Sequence, residues 1–167
     1  MRVRPALHAW RAGAIGVLLA ATPGIVRAQQ TRMNITGWPL TMATTTGADF
    51  EAGAVSLGTT SITVDARTNM PPGSPRTTTV AVSCLPACPR TGTLPLAGLQ
   101  WRRDDQVSWT TLTTTNVVIE QRQILFNGTN DPWSRTLQWR YVLNWLTNPP
   151  TAATQFRIQF SLTVTAP

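Results

Sequence analysis

The sequence predicts an all-β fold, a two-sheet antiparallel β-sandwich, on three observations. Apolar and polar residues alternate with period two in the longest patterned segments. Threonine is concentrated in clusters such as Thr44-Thr45-Thr46, Thr77-Thr78-Thr79 and Thr113-Thr114-Thr115. No window after the first 28 residues carries an amphipathic helical period. Threonine is stiff at χ1 and suits a pleated surface with one wet face. The clusters fall between regular alternations, which favours strands over a Thr/Pro-rich glycosylated stalk.

The first element, residues 1–28, reads as a secretory signal peptide. Arg2, Arg4 and Arg11 precede an apolar run over residues 12–26, and Val26-Arg27-Ala28 offers small residues at the −3 and −1 positions of a cleavage site. Pro23 and Gly24 interrupt the run, which is too short for a spanning helix. Its removal leaves 139 of the 167 residues, the size of one ordinary domain over residues 29–167.

The strands follow in order. Met33 and Ile35 alternate on one parity and Trp38, Leu40 and Met42 on the other, with a bend or bulge expected at Gly37. Ile62, Val64 and Ala66 mark a strand over residues 59–67, and Val80, Val82 and Cys84 another over 77–84. Met70-Pro71-Pro72-Gly73 forms the loop between them. Residues 99–103 and 116–121 are two shorter candidates. Residues 134–145 place Leu137, Trp139, Tyr141, Leu143 and Trp145 inward, and residues 155–165 do the same with Phe156, Ile158, Phe160, Leu162 and Val164. Asn148-Pro149-Pro150 reads as a turn joining these last two as antiparallel neighbours. Six to eight strands separated by turns specify an immunoglobulin-like sandwich. Leu99-Gln100-Trp101-Arg102 recurs as Leu137-Gln138-Trp139-Arg140, two strand segments with Trp inward and Arg outward.

Chemistry is limited by what the chain lacks. Its one histidine, His8, lies in the leader, and lysine is absent. A Ser-His-Asp or Cys-His catalytic set, a Schiff base, a P-loop and a His-ligated metal site are therefore excluded from the exported part. Ten arginines against seven acids leave a balance of +3 after cleavage, compared with +7 for the whole chain. The arginines are spread out, with one adjacent pair at Arg102-Arg103, which argues against nucleic acid as a partner.

Cys84 and Cys88 are the only cysteines, and in an exported chain they are expected to form a disulfide through a turn at Pro86. Six tryptophans follow the leader. Trp139 and Trp145 share a parity with core residues, whereas Trp109 and Trp133 follow loop-like segments and are candidates for exposed aromatic contacts with a glycan. The carboxylates Asp49, Glu51, Asp65, Asp104, Asp105, Glu120 and Asp131 assemble no recognisable catalytic or calcium motif. Asp104-Asp105 beside Arg102-Arg103 reads as a solvated turn balancing its own charge. No enzyme activity, cofactor or metal is expected, a carboxylate-based hydrolase being the remaining catalytic option.

A signal peptide, a Thr-rich sandwich of this length and a last strand running from Phe156 to the C-terminal Ala-Pro resemble secreted bacterial pilus-like subunits. The spore coat protein U domain and fimbrial subunits are the families it resembles. It lacks the Gly-x-Tyr-x-Asp turn and penultimate Tyr of such subunits, and Trp38-Pro39-Leu40 also matches the Trp-x-Leu signature of cell-wall-binding proteins. The resemblance implies a structural or adhesive surface protein, in the periplasm or at the cell surface, with protein partners or copies of itself. Strand addition would be its mechanism, an extended segment of one subunit filling the open sheet edge of another. Met33, Ile35, Leu40 and Met42 would form the donor strand, and Phe156, Ile158, Phe160, Leu162 and Val164 the acceptor. A carbohydrate-binding module is the alternative. No stable membrane insertion of the exported chain is expected.

Overall fold

A computed structural model describes residues 31–65, 75–86, 88, 94–125, 132–148 and 152–165. The expected leader, the expected loop at residues 70–73, Ala66, Asp131 and the prolines 149–150 lie outside these residues. The strands are β1 (Arg32–Thr36), β2 (Thr41–Met42), β3 (Ala54–Asp65), β4 (Pro75–Cys84), β5 (Leu99–Arg103), β6 (Thr110–Thr111), β7 (Val117–Leu125), β8 (Trp133–Val142), β9 (Thr154–Gln155) and β10 (Ile158–Thr165).

They form the antiparallel sandwich that the alternation predicts. One sheet has the order β1-β3-β8-β5-β6 and the other β10-β4-β7, with β2 and β9 as a separate pair. Inward residues of both sheets share one core: Ile62, Val64, Leu99, Leu137, Trp139 and Tyr141 from the first, Val80, Val82, Ile119 and Ile158 from the second. Large aromatics supply much of the buried area. The Trp139 ring meets Phe160 of the opposite sheet edge-on, with centroids 6.4 Å apart, and Tyr141 stacks on Phe156 at 5.8 Å.

The first strand changes sheets at its bend. β1 pairs with β3, whereas β2 pairs with β9, which leads into β10. Gly37 makes the corner at φ +80°, and a Cβ there would run into the Thr59 carbonyl oxygen, so only glycine fits. Beyond the corner Leu40 and Met42 enter the core, 2% and 0% exposed.

Four expectations are corrected. Residues 134–145 and 155–165 are not paired neighbours: β8 lies between β3 and β5, and β10 pairs with β4 in the other sheet. The connection crosses from sheet to sheet. The segment 155–165 is also not one strand, because residues 156–157 interrupt it. There the Phe156 amide donates to the Leu40 carbonyl, and the Arg157 carbonyl accepts from Leu85.

Trp145 is not a core residue. The strand ends at Val142, and Asn144 and Asn148 organise a turn in which the Asn144 amide donates to Asn148 Oδ1 at 2.8 Å. Parity is lost there, and Trp145 is 60% exposed, stacked on Phe50 at 4.3 Å. Lastly, a short helix, α1 (Gly47–Ala52), occupies a stretch with no helical period. The Thr46 amide donates to Asp49 Oδ2 at 2.7 Å to cap it, and this bond holds the Asp49 carboxyl below its ordinary range. Gly53 closes it in the left-handed region.

Candidate functional site

Two regions carry the candidate residues: the lateral edge formed by β10 and β1, and the outer face of β5 and β8. At the edge, burial fades along β10. Ile158 is buried, Phe160 and Leu162 are half-buried, and Val164 is 41% exposed. Met33 and Ile35 of β1 are half-buried too. Ile35, Trp38, Leu85, Ile158 and Phe160 line an apolar groove of about 320 Å³ between the two edge strands. Trp38 stands in it with its ring edge-on to Phe160 at 6.1 Å.

The groove borders an unprotected strand edge. Pairing with β4 uses one side of β10 over all eight of its residues, and no described strand covers the other. Natural sheets blunt such edges with charge, proline, bulges or shortness. Among the described edges, β6 has two residues, β1 carries Arg32, and β7 carries Glu120 and Arg122 with an irregularity at Val80/Ala81 in its pairing. β10, from Ile158 to Thr165, has none of these devices.

The acceptor residues expected from the sequence therefore come together, with the qualification that Phe156 belongs to the core behind the edge, 1% exposed. The expected donor does not stand free. Met33 and Ile35 lie on β1, which pairs with β3 from Arg32↔Asp65 to Thr36↔Ser61, and Leu40 and Met42 are core residues. Burial of that apolar pair ties the segment to its own sandwich.

On the outer face, the repeated tetrapeptide pairs with itself. β5 and β8 run antiparallel with Gln100↔Arg140, Trp101↔Trp139 and Arg102↔Gln138, a local two-fold arrangement centred on the tryptophans. Both tryptophans point into the core, and both arginines point out. Each arginine is held by the glutamine opposite: Arg102 Nε donates to Gln138 Oε1 and Arg140 Nε to Gln100 Oε1, both at 2.8 Å. Trp109, carried back over the sheet by the 104–108 turn, takes both guanidiniums against its ring, at 4.6 Å for Arg102 and 4.2 Å for Arg140.

A trough of about 470 Å³ opens beside this stack, bounded by Arg102, Trp109, Arg140 and the β3 backbone at Ser56–Thr59. Leu57 and Gly58 together oppose Trp139, a bulge, and Gly58 at φ +91° contributes no side chain to fill the space.

Trp133, expected as an exposed contact, is instead buried at 5%. It lies on the inward parity of β8 with Leu137, Trp139 and Tyr141, and extending that parity backwards from Leu137 would have found it. Trp109 is half-buried, with both arginines against its ring.

Two carboxylates near the face, Asp105 and Glu120, are committed elsewhere. Arg103 binds Asp105 through Nε at 2.8 Å and Nη2 at 2.9 Å, and these bonds hold the Asp105 carboxyl below its ordinary range. Glu120 Oε2 accepts from Arg103 at 2.6 Å and Arg135 at 2.9 Å, joining the two sheets and raising the Arg135 pKa. No cluster able to hold a metal exists among the described residues. Cys84 and Cys88 form a disulfide with Cα atoms 5.9 Å apart, inside the limit that the turn had to meet. No helix among the described residues is long and apolar enough to cross a membrane.

Comparison with protein-family models, with curated proteins and with solved structures finds no match for the chain.

Proposed function

We propose that the protein is an exported structural or adhesive surface subunit, working in the periplasm or at the cell surface, that assembles with copies of itself through strand addition along β10. The observation that carries this reading is the edge itself: eight residues without charge, proline or bulge, beside an apolar groove. An extended segment laid there gains main-chain hydrogen bonds from β10. Its alternate side chains reach the groove lined by Ile35, Trp38 and Phe160. Residues 33–42 already belong to the fold of each copy, so the strand added is the open β10 edge of the partner copy. The pilus-like resemblance of the sequence agrees with this role.

Sedimentation velocity of the chain from Gln29 onwards, with and without Val164→Lys, tests the proposal. Val164 is exposed, so the substitution spares the fold while placing a charge in the path of an incoming strand. Wild type is expected to self-associate with rising concentration, and the variant to stay monomeric, with equal unfolding midpoints at dilutions where both are monomers. A wild-type chain that is monomeric throughout, or a variant that associates equally, would overturn it.

A further inference from the structure

We propose that the Arg102–Trp109–Arg140 face binds a carboxylate-bearing polysaccharide, a chain of uronic-acid type, in the trough beside it. This site is on the outer face of the five-stranded sheet, away from the β10 edge, and does not rest on the strand-addition reading.

Charge is the first argument. Two guanidiniums are gathered on one indole ring, which places like charges close together. Among the described residues neither has a carboxylate in salt-bridge contact, although the adjacent Arg103 has two. Like charges held side by side without a counter-charge favour an anion that bridges them. Both are also aimed. With Nε fixed on a glutamine oxygen and its carbon against the Trp109 ring, a guanidinium loses little further freedom when its remaining N–H groups take a carboxylate. Arg102 spends one of them on the Val107 carbonyl at 3.3 Å, which fixes its orientation further.

The trough supplies the rest of a sugar site. Its volume of about 470 Å³ accepts a pyranose ring and part of the next, and the bulge at Gly58 keeps it open. Ser56, Thr59 and Gln138 line it with hydroxyl and amide groups suited to sugar hydroxyls. A repeating uronate chain presents carboxylates, hydroxyls and apolar ring faces, which suits two cationic groups beside a trough of mixed apolar and polar lining better than a lone small anion does.

The test uses oligogalacturonate, its fully methyl-esterified form and inorganic phosphate as probes in calorimetric titrations of the chain from Gln29 onwards. Oligogalacturonate is expected to bind, weakening as salt rises, while the uncharged ester loses about tenfold or more in affinity. Arg102→Gln with Arg140→Gln should abolish binding, whereas Arg122→Gln, which removes an exposed charge from β7, should not. Gln100→Glu, outside the trough lining, gives Arg140 a carboxylate of its own and should weaken binding by about tenfold or more. This variant separates occupancy of the arginine from loss of structure. Equal affinity for the ester, equal loss in Arg122→Gln, unchanged affinity in Gln100→Glu, or phosphate displacing the sugar at equal concentration would each overturn the proposal.

Discussion

Arg140 of β8 stands directly opposite Gln100 of β5, and its Nε donates to the Gln100 side-chain oxygen at 2.8 Å. The same bond recurs between Arg102 and Gln138 two residues along, because a repeated tetrapeptide has been paired antiparallel with its own copy. The repeat builds two surfaces from one pattern. Its tryptophans fill the core, and its arginines gather under Trp109 outside.

Those two surfaces should separate energetically. Trp139→Ala removes a ring 1% exposed that packs on Phe160, and is expected to cost about 3–5 kcal/mol in urea unfolding. Trp109→Ala removes a half-buried ring held mainly by cations, and should cost no more than about 1 kcal/mol. Equal losses would show that Trp109 belongs to the core.

Gly37 should tolerate no side chain. Gly37→Ala would force an L-residue to φ +80° with its Cβ against the Thr59 carbonyl, an expected loss of at least about 2 kcal/mol. Gly47→Ala, at the start of α1 with nothing near its Cβ, is the matched control and should be close to neutral in thermal unfolding.

Tyr141 is the only tyrosine, which makes its titration readable by ultraviolet difference absorbance. Burial pushes it up to about 12, and its hydroxyl donates to the Pro95 carbonyl at 2.7 Å. The folded state thus keeps a proton that the unfolded chain, at 10.0, releases. Its stabilisation is full below pH 10.0 and is lost as pH rises through about 12. Tyrosinate should appear together with unfolding, not before it. On the acid side, Asp49 and Asp105 are lowered by bonds from Thr46 and Arg103, so their contribution is present above about pH 4 and fades below it.

Replacing both cysteines, Cys84→Ala with Cys88→Ala, should lower stability by about 2 kcal/mol, the chain-entropy value for so short a loop. The fold should survive, since Cys84 also lies on β4, in register with Ile158 of β10. Denaturation with and without reductant measures the same difference in the wild-type chain.

Legibility in the sequence followed the range of the forces involved. β5 occupies residues 99–103 as the alternation predicts, because a strand's wet and dry faces are written in neighbouring residues. Partner choice is not local. The short Pro-rich connection after Asn148 suggested that β8 and β10 pair, yet each finds its hydrogen bonds in a different sheet and they meet only through core rings such as Trp139 and Phe160. Trp145 followed the parity of β8 in sequence, but the Asn144–Asn148 turn ended the strand before it. Helix α1 is one capped turn and a half, too short to print a period. The sequence pointed to Trp109 but not to the arginines against it, which come from two strands whose register the sequence does not reveal.

Backbone amide hydrogen exchange, compared between the assembled chain and the Val164→Lys monomer, tests the central claim most directly. Strand addition along β10 predicts that the Ile158–Thr165 amides facing away from β4 become protected on assembly, while the β7 edge at Val117–Leu125 stays unchanged. Protection gained along β7 or β6 with β10 unaffected would contradict the account.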